Sequence, residues 1–277
     1  MKTKPETTLH PIVICGDDKG GVTKSCSSAA VADALIDLGY KVRLADGDPS
    51  NRTLSLINPA AEKIDCRNTE ELSAFIAGGP DSGADISLID MPGSSGDLLA
   101  NYFTETGFET FEDMGVRIII ALTLTQTADS VRGALAWIRT FFTKAEIVVF
   151  ANQRDTPPGQ EFTLDGIPSG AKVYALAEGR IVHIPRWSEY MTKHYLKAKG
   201  MPSDYTAGGR AYKELKLNLL SAAPWKMHHR RVTASVAKVS DWLAGKPAPK
   251  SAPEIKEDTI SPEKAKLLAE LNAPYED

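Results

Sequence analysis

The sequence predicts an α/β fold, a doubly wound and mostly parallel sheet with helices on both faces. Short apolar runs recur along the chain, at residues 12–15, 40–45, 85–90, 116–124, 146–151 and 180–185, and segments of helical period separate several of them. The run at 116–124 (VRIIIALTL) is continuously apolar rather than alternating, as a strand covered on both faces must be, so it belongs in the middle of a sheet. Three of the runs lead into a polar residue, Asp46, Asp90 or Asn152, at the carboxyl end where open α/β sheets gather their ligands.

A chain of 277 residues that is 42% apolar buries a full core, and it suits one large domain with appendages. The division expected is a polar leader at 1–10, a domain at 11–244 and a tail at 245–277. No stretch approaches the roughly 20 apolar residues of a membrane span, and the run at 12–15 meets Gly16, Asp17 and Asp18 at once, which is no secretory signal. A soluble, cytoplasmic protein without a transmembrane segment is expected. The three cysteines, Cys15, Cys26 and Cys66, have no metal-ligand spacing and read as reduced structural thiols.

The first strand, 12–15, runs into a glycine-containing loop, Gly16 to Thr23, and then a helix opened by Lys24 and Ser25. Such a junction binds phosphate, because a helix N-terminus offers unpaired N–H groups and a positive dipole end. Lys24 would reach the terminal phosphates and the Ser25 hydroxyl would ligate Mg²⁺. The strict pattern G-x-x-x-x-G-K-[ST] is not met, since Asp18 and Thr23 stand where its glycines should be; what is met is K-G-G-x-x-K-[ST] over residues 19–25. Thr23 is β-branched, so either its backbone is ordinary right-handed or the loop carries strain. Asp18 sets a carboxylate beside a polyanion site and should weaken affinity unless a cation offsets it.

The 19–25 pattern resembles the deviant Walker A loop of the ParA/MinD family of P-loop ATPases. The resemblance implies ATP and Mg²⁺ as cofactors, contacts to the nucleotide from Gly20, Gly21, Val22, Thr23, Lys24, Ser25 and Cys26, and a signature lysine, here Lys19, reaching across a homodimer that forms on ATP binding. A helix at 25–38 follows, with Gly39 as its natural terminator, and then the strand at 40–45, which makes a right-handed βαβ unit. Asp46-Gly47-Asp48-Pro49 is built of turn formers. It also resembles the family's D-x-D-P-Q segment, which implies that Asp48 positions the attacking water and Asp46 supports the Mg²⁺ shell, with Ser50 in place of the usual glutamine.

Residues 69–77 read as a helix. The strand at 85–90 closes on Asp90-Met91-Pro92, either a plain turn or a Walker-B-like ending in which Asp90 holds Mg²⁺ through water. After the strand at 116–124 comes a helix at 130–142 with Val131, Leu135, Ile138 and Phe142 inward and Trp137 in the core. Asn152, after the next strand, resembles the family's base-recognition asparagine and equally suits a loop start. Residues 156–170 are rich in Pro and Gly and form a loop or excursion. The segment Ile184-Pro185-Arg186 resembles the family's I-P-R, which implies that Pro185 and Arg186 lie over the base; His183 has no assigned role.

Residues 180–240 hold 12 Lys and Arg against 3 acids, a net +9 in a chain of net charge −4. This is either a solvated helix face or a surface that tracks the phosphates of duplex DNA without sequence preference, through Lys226, Arg230 and Arg231. An amphipathic helix at 232–243 closes the domain. A Pro-rich linker at 245–253 and a short helix at 261–272 follow, a tail that either docks on a partner or stays disordered.

The resemblance spans roughly residues 10–190. It implies a weak ATPase stimulated by a partner protein and acting in DNA segregation, plasmid partition or a related transfer system, with the nucleoid as a place of action. A MinD-like membrane switch would need a basic C-terminal helix, where this one is short and charge-balanced. A dethiobiotin-synthetase-like ligase would need a second pocket, and a reductase iron protein paired cysteines.

Overall fold

A computed structural model describes residues 9–17, 23–141 and 144–246. The residues read as leader (1–8), most of the phosphate loop (18–22), Phe142 and the tail from 247 lie outside the described residues. In chain order the elements are β1 (His10–Gly16), α1 (Lys24–Asp37), β2 (Val42–Asp46), α2 (Thr53–Ile57), β3 (Glu62–Lys63), α3 (Thr69–Ala77) and β4 (Ile86–Asp90). Then come α4 (Gly96–Thr106), α5 (Phe108–Asp113), β5 (Val116–Leu124), α6 (Ala128–Phe141), β6 (Glu146–Asn152), α7 (Gly170–Leu176) and β7 (Ile181–Ile184). The chain continues through α8 (Glu189–Ala198), a 3₁₀ turn (Pro202–Tyr205), α9 (Arg210–Glu214), α10 (Leu219–Val236) and α11 (Ser240–Leu243).

The strands form one sheet in the order β3-β2-β4-β1-β5-β6-β7, and every pair is parallel. This is the doubly wound, parallel architecture that the sequence predicts. Side chains alternate across a strand, so β1 feeds two cores. Ile12 and Ile14 pack with residues of α3 to α7, while Val13 and Cys15 pack with α1, α2, α8, α10 and α11. The chain steps from β1 leftward to β2 and β3, inserts β4, and then crosses to β5, which places the reversal of strand order at β1, where such sheets bind ligands.

Helix α1 stops as its sequence requires. Gly39 takes a left-handed φ of 91°, its N–H bonds the Ile36 carbonyl, and the Tyr40 N–H bonds the Leu35 carbonyl, closing the last turn as a Schellman motif. The free edge of β7 is covered by α10, whose Ser235 hydroxyl accepts the His183 N–H at 2.8 Å, so this N–H does not invite another strand. At the amino end of the sheet Trp242 lies between the guanidinium groups of Arg117 and Arg180, 4.6 and 4.4 Å from its ring centre. Its indole N–H bonds Glu146, which also pairs with Arg117 and Arg180. This latch fixes α11 to the sheet.

Two expectations need correction. His10, placed in the leader, is the buried first residue of β1 and bonds Ser87. The helix expected at 232–243 is two helices: the last turn of the 18-residue α10, and α11 after a break at 237–239. The inward positions Val232, Val236, Val239 and Leu243 are nevertheless all buried. In α6 the inward residues include Ala134 and Phe141 beside Val131, Leu135 and Ile138, and Trp137 is core as expected.

Candidate functional site

At the end of β1 the backbone turns under Trp137. A side chain on Gly16 would set its Cβ 2.0 Å from the indole ring, so this position admits only glycine. The loop residues Lys19, Gly20, Gly21 and Val22 lie outside the described residues. The chain re-enters at Thr23, the residue capping α1, with φ 66° and ψ 30°. Of the two alternatives for this β-branched residue the strained one is realised, at a cost of about 1–2 kcal/mol for a left-handed L-residue. Strain of this kind accumulates where a loop is held for binding.

Lys24 opens α1 and is nearly buried at 9% exposure. The next residue, Ser25, donates its hydroxyl to Asp90 Oδ2 at 2.6 Å, and one turn later Ser28 donates to Asp90 Oδ1 at 3.0 Å. Asp90 ends β4 beside Cys15 of β1 on one side and Asp46 of β2 on the other. Burial pushes its carboxyl up to about 6, against the Ser25 hydrogen bond and the Lys24 charge, which favour the ionised form. A buried carboxylate whose partners are two hydroxyls and one lysine is electrostatically suited to a divalent cation.

Asp46 is wholly buried, and both oxygens hold the turn: Oδ1 accepts the Asp48 N–H at 3.2 Å and Oδ2 the Ser55 N–H at 2.8 Å. Asp48 Oδ1 accepts the N–H groups of Ser50 and Asn51 at 2.9 and 3.0 Å. The turn role of both aspartates is therefore real, and each carboxylate keeps lone-pair capacity beyond these bonds. Among the described residues no group of three or more His, Cys, Asp or Glu gathers as a metal cage. A hard cation here would take oxygen from Ser25, reach Asp90 and Asp46 directly or through water, and complete its shell with phosphate, the Mg²⁺ habit.

Beside this polar cluster the fold opens a cavity of about 360 Å³. Thr23 and Cys26 of the loop and α1, Asn152 at the end of β6, and Pro185 and Arg186 after β7 all line it. Five residues singled out by motif, from three separate segments, thus share one wall. The Asn152 carboxamide donates to Ser27 Oγ at 2.9 Å and accepts the Arg154 N–H, also at 2.9 Å, which leaves one N–H and one lone pair. Arg186 donates to the Thr156 carbonyl at 3.3 Å. The Cys26 thiol lies 3.5 Å from the Tyr195 hydroxyl, and burial pushes it above its ordinary range, which favours the neutral thiol.

Ile184, which opens the I-P-R segment, also lines it, and no motif marked the rest of the lining: Arg154, Trp187, Thr192, Tyr195 and Leu196. The available signal was Ser188, whose side chain caps α8 by accepting the Met191 N–H, ahead of Met191, Tyr195 and Ala198 at helical spacing. Lys226, Arg230 and Arg231 stand apart from the cavity on the exposed side of α10, whose inner side carries Ala222, Trp225, His228, Val232, Ser235 and Val236. No helix among the described residues is long and apolar enough to cross a membrane.

No family model and no curated protein matches the chain. Among solved structures it is similar to the MinC:MinD cell division protein complex of Aquifex aeolicus, at 17% identity and a TM-score of 0.48 over 87% of this chain and 98% of that one. A nucleotide-binding protein from Archaeoglobus fulgidus in complex with ADP is 19% identical, with a TM-score of 0.41 over 69% of this chain and 88% of that one. The signal recognition particle receptor FtsY from Elizabethkingia anophelis is 14% identical, with a TM-score of 0.40 over 64% of this chain and 57% of that one.

Proposed function

We propose that this chain is an ATP-dependent, dimerising ATPase of ParA type, acting in DNA segregation, plasmid partition or a related transfer system, with hydrolysis of Mg-ATP as its switch. The observation that carries this reading is the meeting of Thr23, Cys26, Asn152, Pro185 and Arg186 around one cavity, next to the bonded pair Ser25 and Asp90. An adenine-sized base enters that cavity, and the phosphates run to the head of α1. Lys24 neutralises the terminal phosphates. Lys19 reaches to the partner protomer's nucleotide.

Ser25 and Asp90 would hold the magnesium ion, with Asp46 behind them, and a divalent cation held there would supply charge neutralisation at the phosphate oxygens. Asp48 orients the attacking water from a turn that its own carboxylate ties. Catalysis comes from positioning and electrostatics, with no covalent intermediate on the protein. The strained Thr23 and the added carboxylate of Asp18 make turnover slow, and a partner protein sets its timing. The basic outer side of α10, with Lys226, Arg230 and Arg231, is the surface offered to duplex DNA.

The test is the ATPase rate and the oligomeric state, each measured with and without duplex DNA, for the wild type and Lys24→Ala. A slow wild-type rate, a dimer that appears only with ATP, and loss of both in the variant are expected. ATP affinity unchanged by Lys24→Ala would remove the phosphate-loop assignment. A rate that responds to a small metabolite and not to DNA would move the assignment to a ligase of the same fold.

A further inference from the structure

Behind the cavity wall formed by Pro185 and Trp187, His228 of α10 sits in a hydrogen-bond conflict. His228 is buried at 3% exposure, and burial pushes its imidazole down to about 4, so near neutral pH the ring carries a single N–H. Its Nε2 lies 3.0 Å from Trp187 Nε1, which only donates, and 3.1 Å from the Pro185 carbonyl oxygen, which only accepts. Its Nδ1 is buried with no hydrogen-bond partner. With the proton on Nδ1, Nε2 accepts from Trp187 and presents a lone pair to the Pro185 oxygen. With the proton on Nε2, the ring donates to Pro185 and two N–H groups face each other at Trp187. Neither tautomer satisfies both neighbours, and an unmet buried polar group is costly.

Both conflicting partners line the cavity. Trp187 also packs on Trp225 of α10, with ring centres 5.4 Å apart, and on Tyr195 of α8 at 4.9 Å. A move of the indole is therefore felt by α10 at two positions, Trp225 and His228. We propose that His228 is a positioning residue that makes this wall a two-state element, so that an occupant of the cavity draws Trp187 away and the change passes to α10. In one state, the one observed, the indole leans on Nε2. With a purine base present the indole turns toward the base, and His228 settles as the Nε2–H tautomer on the Pro185 carbonyl, one ring proton leaving Nδ1 and one arriving at Nε2 without change of charge. Binding thus relieves the conflict, and the relief adds to affinity. The inference rests on the cavity being a nucleotide-base site, and it adds the route by which that site would speak to the helix bearing Lys226, Arg230 and Arg231.

His228→Gln tests it, because a carboxamide placed at Nε2 accepts from Trp187 through its oxygen and donates to Pro185 through its nitrogen at once. The variant should fold at least as stably as wild type. It should bind ADP about fivefold more weakly, the equivalent of one net hydrogen bond, since occupancy now breaks a satisfied bond. The ADP-induced change in amide hydrogen exchange expected over residues 225–232 of the wild type should vanish. Trp187→Phe, which keeps a ring and removes the donor, should abolish the same exchange change and serves if the glutamine variant does not fold. Wild-type affinity together with an unaltered exchange response in these variants would overturn the inference alone. Failure of the wild type to bind any nucleotide would overturn the base-site reading and this inference with it.

Discussion

Asp48 carries a structural and a proposed chemical role on one carboxylate, and a single substitution separates them. Its Oδ1 ties the turn through the Ser50 and Asn51 N–H groups, so Asp48→Ala would unsettle the turn, at about 1 kcal/mol, as well as remove the charge. Asp48→Asn retains an oxygen for both N–H groups. It should keep wild-type thermal stability and ATP affinity while turnover falls by about 10²–10⁴-fold, the usual worth of a group that handles the attacking water. Wild-type turnover in this variant would leave Asp48 as a turn residue only. Gly16 has no such freedom. Its neighbour Trp137 leaves no room for a Cβ, and Gly16→Ala should cost about 1–3 kcal/mol through backbone displacement, read as a lower melting temperature. Trp137→Leu in the same chain should restore part of that loss, and additive losses in the double variant would show that the two residues do not share the space.

Helices α1 and α10 are joined by a polar clasp near the carboxyl end of α1. Asp33 of α1 accepts the Ser203 N–H at 2.7 Å and its hydroxyl at 2.6 Å, and His229 of α10 lies 3.3 Å from Asp33 and 3.5 Å from Asp37. The carboxylates of Asp33 and then Asp37 beside it hold the His229 imidazole above its ordinary 6.5. A raised value means that the folded state binds the proton more tightly than the unfolded chain. The stabilisation is therefore full below about pH 6.5 and is lost as pH rises through the folded value. The unfolding free energy of wild type should exceed that of His229→Gln by roughly 1.5–3 kcal/mol near pH 6, and the gap should narrow at alkaline pH; a gap constant with pH would remove the protonated clasp. This clasp could not be read from the sequence, and α10 shows why. Its inner side includes His228 and Ser235, Pro224 sits in its early turns, and Leu219, Leu220 and Met227 face solvent, so apolar periodicity emerges only from Val232 onward. By contrast α3 and β5 occupy 69–77 and 116–124 as expected, the first because Asn68 caps it and Gly78 follows, the second because nine residues of nearly continuous apolar character suit only a strand between neighbours. Ser25, Asp90 and Asn152 were legible because each lies where a motif meets a strand or helix end. Trp187, Tyr195 and His228 join the site through packing between distant helices, which no local pattern encodes.

On the scale of the whole molecule the fold separates its ends. The cavity and the Ser25–Asp90 pair lie at the carboxyl end of the sheet, whereas the Trp242 latch lies at the amino end, and Lys246, the last described residue, sets its ammonium 4.4 Å from the Tyr40 ring centre. Charge is separated as well. A net charge of −4 with +9 between residues 180 and 240 leaves −13 on the remaining chain, so the attraction for a polyanion is concentrated in that one segment. Each Lys or Arg that meets a phosphate releases counterion, and affinity for duplex DNA should fall with salt by a log-log slope of about −0.9 per contact. An ATP-induced dimer would set two basic helices on one duplex, and the second set binds at the effective concentration fixed by the first, which makes ATP the switch between weak and usable binding. Replacing Arg230 and Arg231 together by Ala should make the slope shallower by about 1.8 per protomer and weaken all duplex sequences alike, with ATP affinity unchanged. A merely solvated basic face predicts instead no binding at ~0.1 M salt with or without ATP, where the Debye length is already near 10 Å. If wild type shows no ATP-dependent DNA binding even at low salt, the partition role falls, and the nucleotide switch must answer to a protein or a small molecule.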